Sequence, residues 1–433
     1  MAMDGKELVE KLAKLSQVQS IKDIPQLTHA LFPGTHCPLM GAAMAVGGIK
    51  DSLIVVVGTD ECTYYTKSMT IHSEKFGGID GRCVSVVLDD HDVTFGSAEK
   101  VQEAFKEIIE EYRPQCVFLV TTCVIEIIGD DFDAISEGLS ELYGIPVLPV
   151  HTEHFKCEDH LPGLERTITV CAEMMKSCDC DNSVNLLGQR MGDFATTELY
   201  AMLQKAGVKI GLQLPCGCSV DDIKNAAAAK VNIVVNDIAL PLAQKMQEKF
   251  GIPYVYFNKF VIPEKIYEAY KNLFGYLELE LPGELEGLYQ NAREKIEKNK
   301  GELEGITYIY GNTPYAVFEM NCFLSSLGMV PQVIQTNRYT EADEPYAKEI
   351  LQYTDPYVCK AANIAPLQYV YDVLSPYLYL GHEFGNRLRQ KGIAIVHSDR
   401  ASGMLGFEVT GYLLQQLVKS VREAKEYRKE LGL

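Results

Sequence analysis

The feature that most limits what this chain can fold into is a repeated switch from short, apolar, β-rich runs to amphipathic helical stretches. Parallel strands need a crossover between them, usually a helix, so the alternation predicts parallel α/β architecture. The first block runs from about Asp51 to Val150, with strands predicted at Leu53–Val57, Val84–Leu88, Val117–Val120 and Val147–Val150. Between them, Ala98–Tyr112 and Asp133–Tyr143 space their apolar residues as helices do. A polar stretch, Ser177–Ser183, reads as a linker. The second block has a helix over Thr196–Ala206 and strands at Lys209–Leu212, Val231–Val235 and Tyr254–Phe257. A charged helix over Leu288–Lys300 leads to a third block, with strands at Thr307–Tyr310 and Ile393–Val396 and a closing helix over Gly411–Leu431. The expected division is three α/β domains, over residues 1–180, 181–300 and 301–433. The likeness among the blocks is architectural and shows no residue-level repeat.

Composition excludes several classes. With 47% hydrophobic and 23% charged residues and a mean hydropathy of −0.03, the 433-residue chain sits in the ordinary globular range. Forty basic against 59 acidic residues give a net charge of −19, and no local basic patch offsets it, which argues against nucleic-acid binding. The longest apolar runs, such as Ser52–Val57, fall far short of the ~20 residues of a membrane-spanning helix, so no membrane association is expected. The first residues lack the basic head and apolar stretch of a secretory signal, and the expected compartment is the cytoplasm.

In that compartment the 13 cysteines are expected as thiols: core residues, reactive groups or metal ligands. Ligands of parallel sheets collect at the carboxyl ends of the strands. There, Asp60-Glu61-Cys62 follow Leu53–Val57, and Thr121-Thr122-Cys123 follow Val117–Val120. Cys37 lies in the turn-rich run Pro33-Gly34-Thr35-His36-Cys37-Pro38, before Gly41-Ala42-Ala43, a candidate helix start. Three thiols presented from loops on one edge can hold an iron–sulfur cluster, whose sulfurs also accept hydrogen bonds from exposed backbone N–H groups. The alternative is three separate buried thiols at strand ends, since no compact C-x-x-C run is present.

The context of these cysteines resembles the nitrogenase component 1 family, which includes the nitrogenase molybdenum-iron protein subunits, their cofactor-assembly scaffold relatives and the dark-operative protochlorophyllide reductase relatives. The resemblance is carried by His36-Cys37-Pro38-Leu39-Met40-Gly41-Ala42, Gly58-Thr59-Asp60-Glu61-Cys62-Thr63-Tyr64-Tyr65 and Thr121-Thr122-Cys123-Val124-Ile125-Glu126-Ile127-Ile128-Gly129-Asp130-Asp131. It continues through Asp92–Gly96, His151-Thr152, Asn232–Val235 with Phe250–Pro253, and Ser402–Glu408. It implies a fold of three Rossmann-like parallel-sheet domains, nitrogenase component 1-like. It also implies that Cys37, Cys62 and Cys123 ligate an iron–sulfur cluster, [4Fe-4S] or larger and P-cluster-like, shared at a subunit interface. The implied partners are a homologous sister subunit or a second copy of the chain, and an ATP-dependent reductase with its own [4Fe-4S] cluster. The implied role is an oxidoreductase subunit that passes electrons to a substrate or cofactor, or else a metallocluster-assembly scaffold without turnover of its own.

Further positions follow from the same resemblance. The segment after His151-Thr152, where the family's catalytic β subunit has a serine that joins the oxidised cluster, carries His154 and Cys157 as possible additional ligands. His397 falls near the catalytic α subunit's histidine ligand to the large cofactor. The cysteine that holds that cofactor is matched by Asn236, a poor iron ligand, which puts a molybdenum-iron cofactor in doubt and leaves a second metallocofactor open. Cys178-Asp179-Cys180 and Cys216-Gly217-Cys218 are C-x-C pairs with metal, redox and structural readings, while Cys83, Cys116, Cys171, Cys322 and Cys359 read as core. Asp89 with Asp90 and Asp130 with Asp131 are acid–base candidates, and Asp130 and Asp131, near a helix start, also read as its caps. No G-x-x-x-x-G-K-[ST] loop is present, and Gly77, Gly78 and Gly81 lack dinucleotide-binding spacing, so the chain is not expected to hydrolyse nucleotide itself.

Overall fold

A computed structural model describes residues 4–27, 36–71, 81–157, 159–190, 192–311, 313, 315–360 and 364–433. Gly77 and Gly78 lie outside the described residues. At the amino end are helix α1 (Gly5–Glu10) and a short strand β1 (Ala13–Lys14). Next come α2 (Pro38–Gly47), β2 (Ile49–Lys50), β3 (Ser52–Gly58), α3 (Asp60–Ile71), β4 (Cys83–Val87), α4 (Asp90–Phe95), α5 (Ala98–Tyr112), β5 (Cys116–Thr121), α6 (Cys123–Ile128), α7 (Phe132–Tyr143), β6 (Val147–Val150) and α8 (Leu161–Val170). Strands β3 to β6 form a parallel sheet in the order β4-β3-β5-β6. All residues of β3 and β5 are buried, as expected of central strands covered on both faces.

The second sheet contains β7 (Val184–Gln189), β8 (Ile210–Pro215), β10 (Val231–Val234) and β11 (Tyr254–Tyr256), in the parallel order β11-β10-β7-β8. Between β8 and β10, β9 (Cys218–Ser219) pairs instead with β2, which ties the second block to the first. The third sheet contains β12 (Thr307–Tyr310), β13 (Val330–Gln335), β14 (Tyr357–Cys359), β15 (Leu378–Leu380) and β16 (Ala394–Val396), with β1 as an antiparallel edge strand beside β14. Ala13 and Lys14, expected within the domain over residues 1–180, thus extend the third sheet. The closing helix runs over Phe407–Leu431. No helix among the described residues is long and apolar enough to cross a membrane.

Each sheet changes direction in the same way. Strands β3, β7 and β12 each sit inside their sheet, the next strand of that sheet goes to one side, and a later crossover goes to the other. The resulting crevices lie between β3 and β5, between β7 and β10, and between β12 and β15, at the strands' carboxyl ends.

The strands missed by sequence pattern have identifiable causes. β7 carries Asn185 in mid-strand, where its Nδ2 donates to the Asn232 side chain on β10 and to the Ala226 carbonyl, both at 2.8 Å. β13 is interrupted by Pro331 and Gln332, and β14 and β15 have only three residues each.

Helices α2 and α8 lie between the first and second sheets, in a core that includes Ile54, Phe118 and Val120 from one and Leu187, Leu214 and Val234 from the other. Their backbones approach where side chains are missing. A Cβ on Gly163 would fall 1.9 Å from the Pro38 carbonyl oxygen, and one on Gly41 would fall 1.9 Å from that of His160. Gly163→Ala is expected to lower unfolding stability by about 1–3 kcal/mol by forcing the helices apart. Chemical denaturation measures this, and an unchanged midpoint would contradict the packing described.

Candidate functional site

The three candidate cysteines stand at the starts of three helices rather than in loops. Cys37 is the N-cap of α2, Cys62 is the third residue of α3, and Cys123 is the first residue of α6. Helices α3 and α6 leave the adjacent strands β3 and β5, so Cys62 and Cys123 flank the crevice of the first sheet. Helix starts present free N–H groups and a partial positive charge, which favour thiolates and anionic clusters.

The thiols are brought within electrostatic reach of one another. Cys123 titrates above the ordinary thiol range, first because it is partly buried and then because charge on Cys62, and more weakly on Cys37, opposes its ionisation. The same proximity that disfavours bare thiolates suits them to share one cationic metal centre. Thr59 Oγ1 donates to Cys62 Sγ at 3.5 Å. Among the described residues, no three His, Cys, Asp or Glu side chains form a site for a single metal ion. A cluster makes a different demand, with thiolates bound to separate irons and correspondingly spread apart. Cys37, Cys62 and Cys123, at three helix starts, are donors of the kind such a cluster takes.

Glu126, part of the motif after Cys123 but not singled out by sequence, organises this edge. Its Oε1 accepts from Thr121 Oγ1 at 2.8 Å, Thr152 Oγ1 at 3.0 Å and Glu153 N at 2.5 Å, while Oε2 accepts from His154 N at 3.2 Å. Arg166 on α8 grips the same turn, donating to the Thr152 carbonyl and the Glu153 carboxylate, each at 2.5 Å. The turn holding His154 and Cys157 is thereby fixed beside α6. Cys157 is half-buried, and burial raises its thiol pKa against the opposing charge of Arg166, whose Nη1 lies 3.6 Å from the sulfur. An acid within a short apolar helix was the available sequence signal for Glu126.

Exposed apolar side chains follow all four strands of this sheet. They are Tyr64 (69%) and Tyr65 (71%) on α3, Phe95 (76%) on α4, Ile127 (72%) on α6 and Phe155 (70%) after β6. Large apolar side chains exposed along one sheet edge are a common feature of interaction surfaces.

The remaining candidates separate from this group. His397 is exposed after β16 on the third sheet. Asn236 is buried, and its side chain accepts from Ile238 N at 3.2 Å to cap the turn 237–239. Asp131 and Asp89 are helix caps, whereas Asp130 accepts from the Ser97 backbone and hydroxyl. Cys83, Cys116, Cys171, Cys322 and Cys359 are buried, and Cys178 and Cys180 are exposed.

A second polar group occupies the carboxyl edge of the second sheet. Arg190 follows β7, Cys216 follows β8 and donates to the Arg190 carbonyl at 3.2 Å, and Lys259 follows β11. Lys259 is 7% exposed, and its ammonium donates to the Ser402 carbonyl in the segment after β16. Burial first, and then the charge of Arg190, bring its pKa down to about 7. His160, between this group and α2, is pushed down to about 4, first by burial and then by Arg190.

Replacing Glu126 with Ala would leave two buried threonine hydroxyls and two backbone N–H groups without this carboxylate, costing about 1–3 kcal/mol for each group left unpaired. The expected result is faster amide exchange at residues 152–154, read by mass spectrometry. Exchange as slow as in the parent would contradict the assigned role.

Comparison with known proteins places these features in context. The model of the family described as nitrogenase component 1 type oxidoreductase matches residues 37–422. The chain is 31% identical over 224 residues to the nitrogenase iron-molybdenum cofactor biosynthesis protein NifE of Clostridium pasteurianum, covering 51% of this chain and 49% of the relative. It is 25% identical to NifE of Rippkaea orientalis (73% and 69% covered) and 24% identical to the nitrogenase molybdenum-iron protein alpha chain of Methanosarcina barkeri (72% and 62% covered). The chain thus spans about half the length of the first relative and about two thirds of the other two. The solved structure described as nitrogenase Cp1 at pH 6.5 has the same fold, with a TM-score of 0.78 at 15% identity, covering 93% of this chain and 95% of that one.

Proposed function

The chain belongs to the nitrogenase component 1 type oxidoreductases, and from that premise we propose that it is a cluster-bearing subunit of a two-component oxidoreductase. Cys37, Cys62 and Cys123 are its thiolate ligands, holding this chain's share of an iron–sulfur cluster at a subunit interface. The observation that carries the reading is the placement of these thiols on three helix starts at one sheet edge, inside an apolar rim. When bound, such a cluster supplies reversible electron storage at low potential.

The chain's own groups set the conditions. Helix starts and the Thr59 hydroxyl offer hydrogen bonds to sulfur. The rim is covered by a sister subunit or a second copy, which completes the ligand set and excludes water. An ATP-dependent [4Fe-4S] reductase docks on the assembled subunit. Glu126 and Arg166 hold His154 and Cys157 as reserve ligands, and α2 packed on α8 connects the cysteine edge to the cleft where the electron acceptor is held, near His397.

A scaffold role is the second reading, supported by the similarity to proteins named for cofactor biosynthesis and by an amide, Asn236, committed to a turn. In either role Cys123→Ala is expected to remain folded and to lose iron and reductase-dependent electron uptake. Full iron retention would remove the ligand assignment. With reductase, ATP and an acceptor supplied, reduction over many cycles supports the oxidoreductase role, whereas uptake limited to the bound metal supports the scaffold.

A further inference from the structure

The polar group around Arg190 is built differently from the cysteine edge. Two cations converge there from separate strand ends, Arg190 after β7 and Lys259 after β11, close enough for the charge of one to disfavour that of the other. Neither forms an ion pair among the described residues. Arg190 Nε is buried without a hydrogen-bond partner. The Lys259 ammonium has the Ser402 carbonyl as its acceptor.

Acidic groups are present nearby but committed elsewhere. Asp237 and Asp159 influence Arg190 electrostatically. Yet Asp237 pairs with Arg338 at 3.4 Å, and Asp159 accepts from Leu161 N at 2.9 Å. Cys216 is half-buried and its thiol is raised by burial, so it brings no compensating charge at neutral pH. His160 is neutral there for the reason given above. A buried ammonium beside a half-buried guanidinium, with Asp237 and Asp159 favouring the guanidinium's charge but neither ion-paired with it, is unfavourable for the fold, because burial strips water from each cation while each repels the other.

The location supplies a use for them. Arg190 stands at the crevice between β7 and β10, where the second sheet changes direction. The segment after β16 closes against it through Lys259 to Ser402 and through Gln189 Nε2 to the Gly403 carbonyl at 3.5 Å. Ligands of open parallel sheets bind at such crevices.

We propose that Arg190 and Lys259 form an anion site in this cleft, which takes the carboxylate or phosphate group of a ligand and so sets the class of electron acceptor or cargo the chain holds. The inference rests on the reading of the cleft as the acceptor site. A bound oxyanion supplies the missing counter-charge, accepts from the free Arg190 Nε–H and keeps the Lys259 ammonium protonated.

The test uses the full chain, purified without oxygen, titrated calorimetrically with succinate and, separately, with inorganic phosphate. Saturable binding of at least one is expected, and the tighter of the two tells whether the group recognised is a carboxylate or a phosphate. Lys259→Met and Arg190→Gln are each expected to weaken it about tenfold or more, the loss of one charge-assisted hydrogen bond, while Lys425→Met on the exposed face of the closing helix leaves it unchanged. Lys259→Met exchanges a buried ammonium for an apolar chain of similar length, so its thermal unfolding stays at or above that of the parent. Binding by neither anion, or equal binding by parent and both cleft variants, overturns the proposal. The same titration on Cys123→Ala separates the two readings: anion binding that persists without iron supports the cleft site independently of the cluster. Loss of binding in a folded Cys123→Ala protein overturns the assignment to Arg190 and Lys259.

Discussion

The direction of the strands is the constraint on which the rest of this structure depends. A parallel strand must be followed by a crossover, and when that crossover is a helix its start lies at the sheet's carboxyl edge, with N–H groups unpaired. Helices α3 and α6 place Cys62 and Cys123 there from neighbouring strands, and α2 adds Cys37 from outside the sheet. The local field is therefore mixed: helix starts favour thiolates, while burial and mutual repulsion hold Cys123 protonated. On the proposed reading, a cationic metal centre would resolve that opposition in favour of the ionised form.

The same topology, repeated in the second and third sheets, gives each a crevice at its strands' carboxyl ends. The first two sheets are connected by packing. Because Gly41 and Gly163 let α2 and α8 approach to backbone contact, the first two sheets share one continuous core. The pairing of β2 with β9 reinforces that join. Arg166, on α8, then reaches forward to the turn at Glu153, so the helix that separates the two regions also fixes the edge of one of them.

Much of this was legible in the sequence where pattern and structure obey the same period. The strand over Thr307–Tyr310 and the helix over Ala98–Tyr112 fall where the spacing of apolar residues predicts them. Asp131 is a cap, as an acid before a helix suggests. The losses came where tertiary contacts override local signals. Asn185 is polar yet fully buried because Asn232 faces it from the neighbouring strand. Cys62 is expected in a loop from its place just beyond a strand, whereas it lies in a helix whose first turn carries Asp60 and Glu61, acids that suit that position. Glu126 and the Arg190–Lys259 pair depend on groups far away in the chain, such as Thr152 and Ser402, which no local spacing reveals.

The central claim is that the three cysteines are cluster ligands and not merely neighbouring thiols. Iron and acid-labile sulfide per chain, measured on protein purified under strict exclusion of oxygen with its partner and the cluster-assembly machinery present, test it most directly. The account predicts about two to four irons per chain with matching sulfide, as a cluster shared between two subunits requires. Folded protein without iron or sulfide would contradict it and leave Cys37, Cys62 and Cys123 as structural thiols.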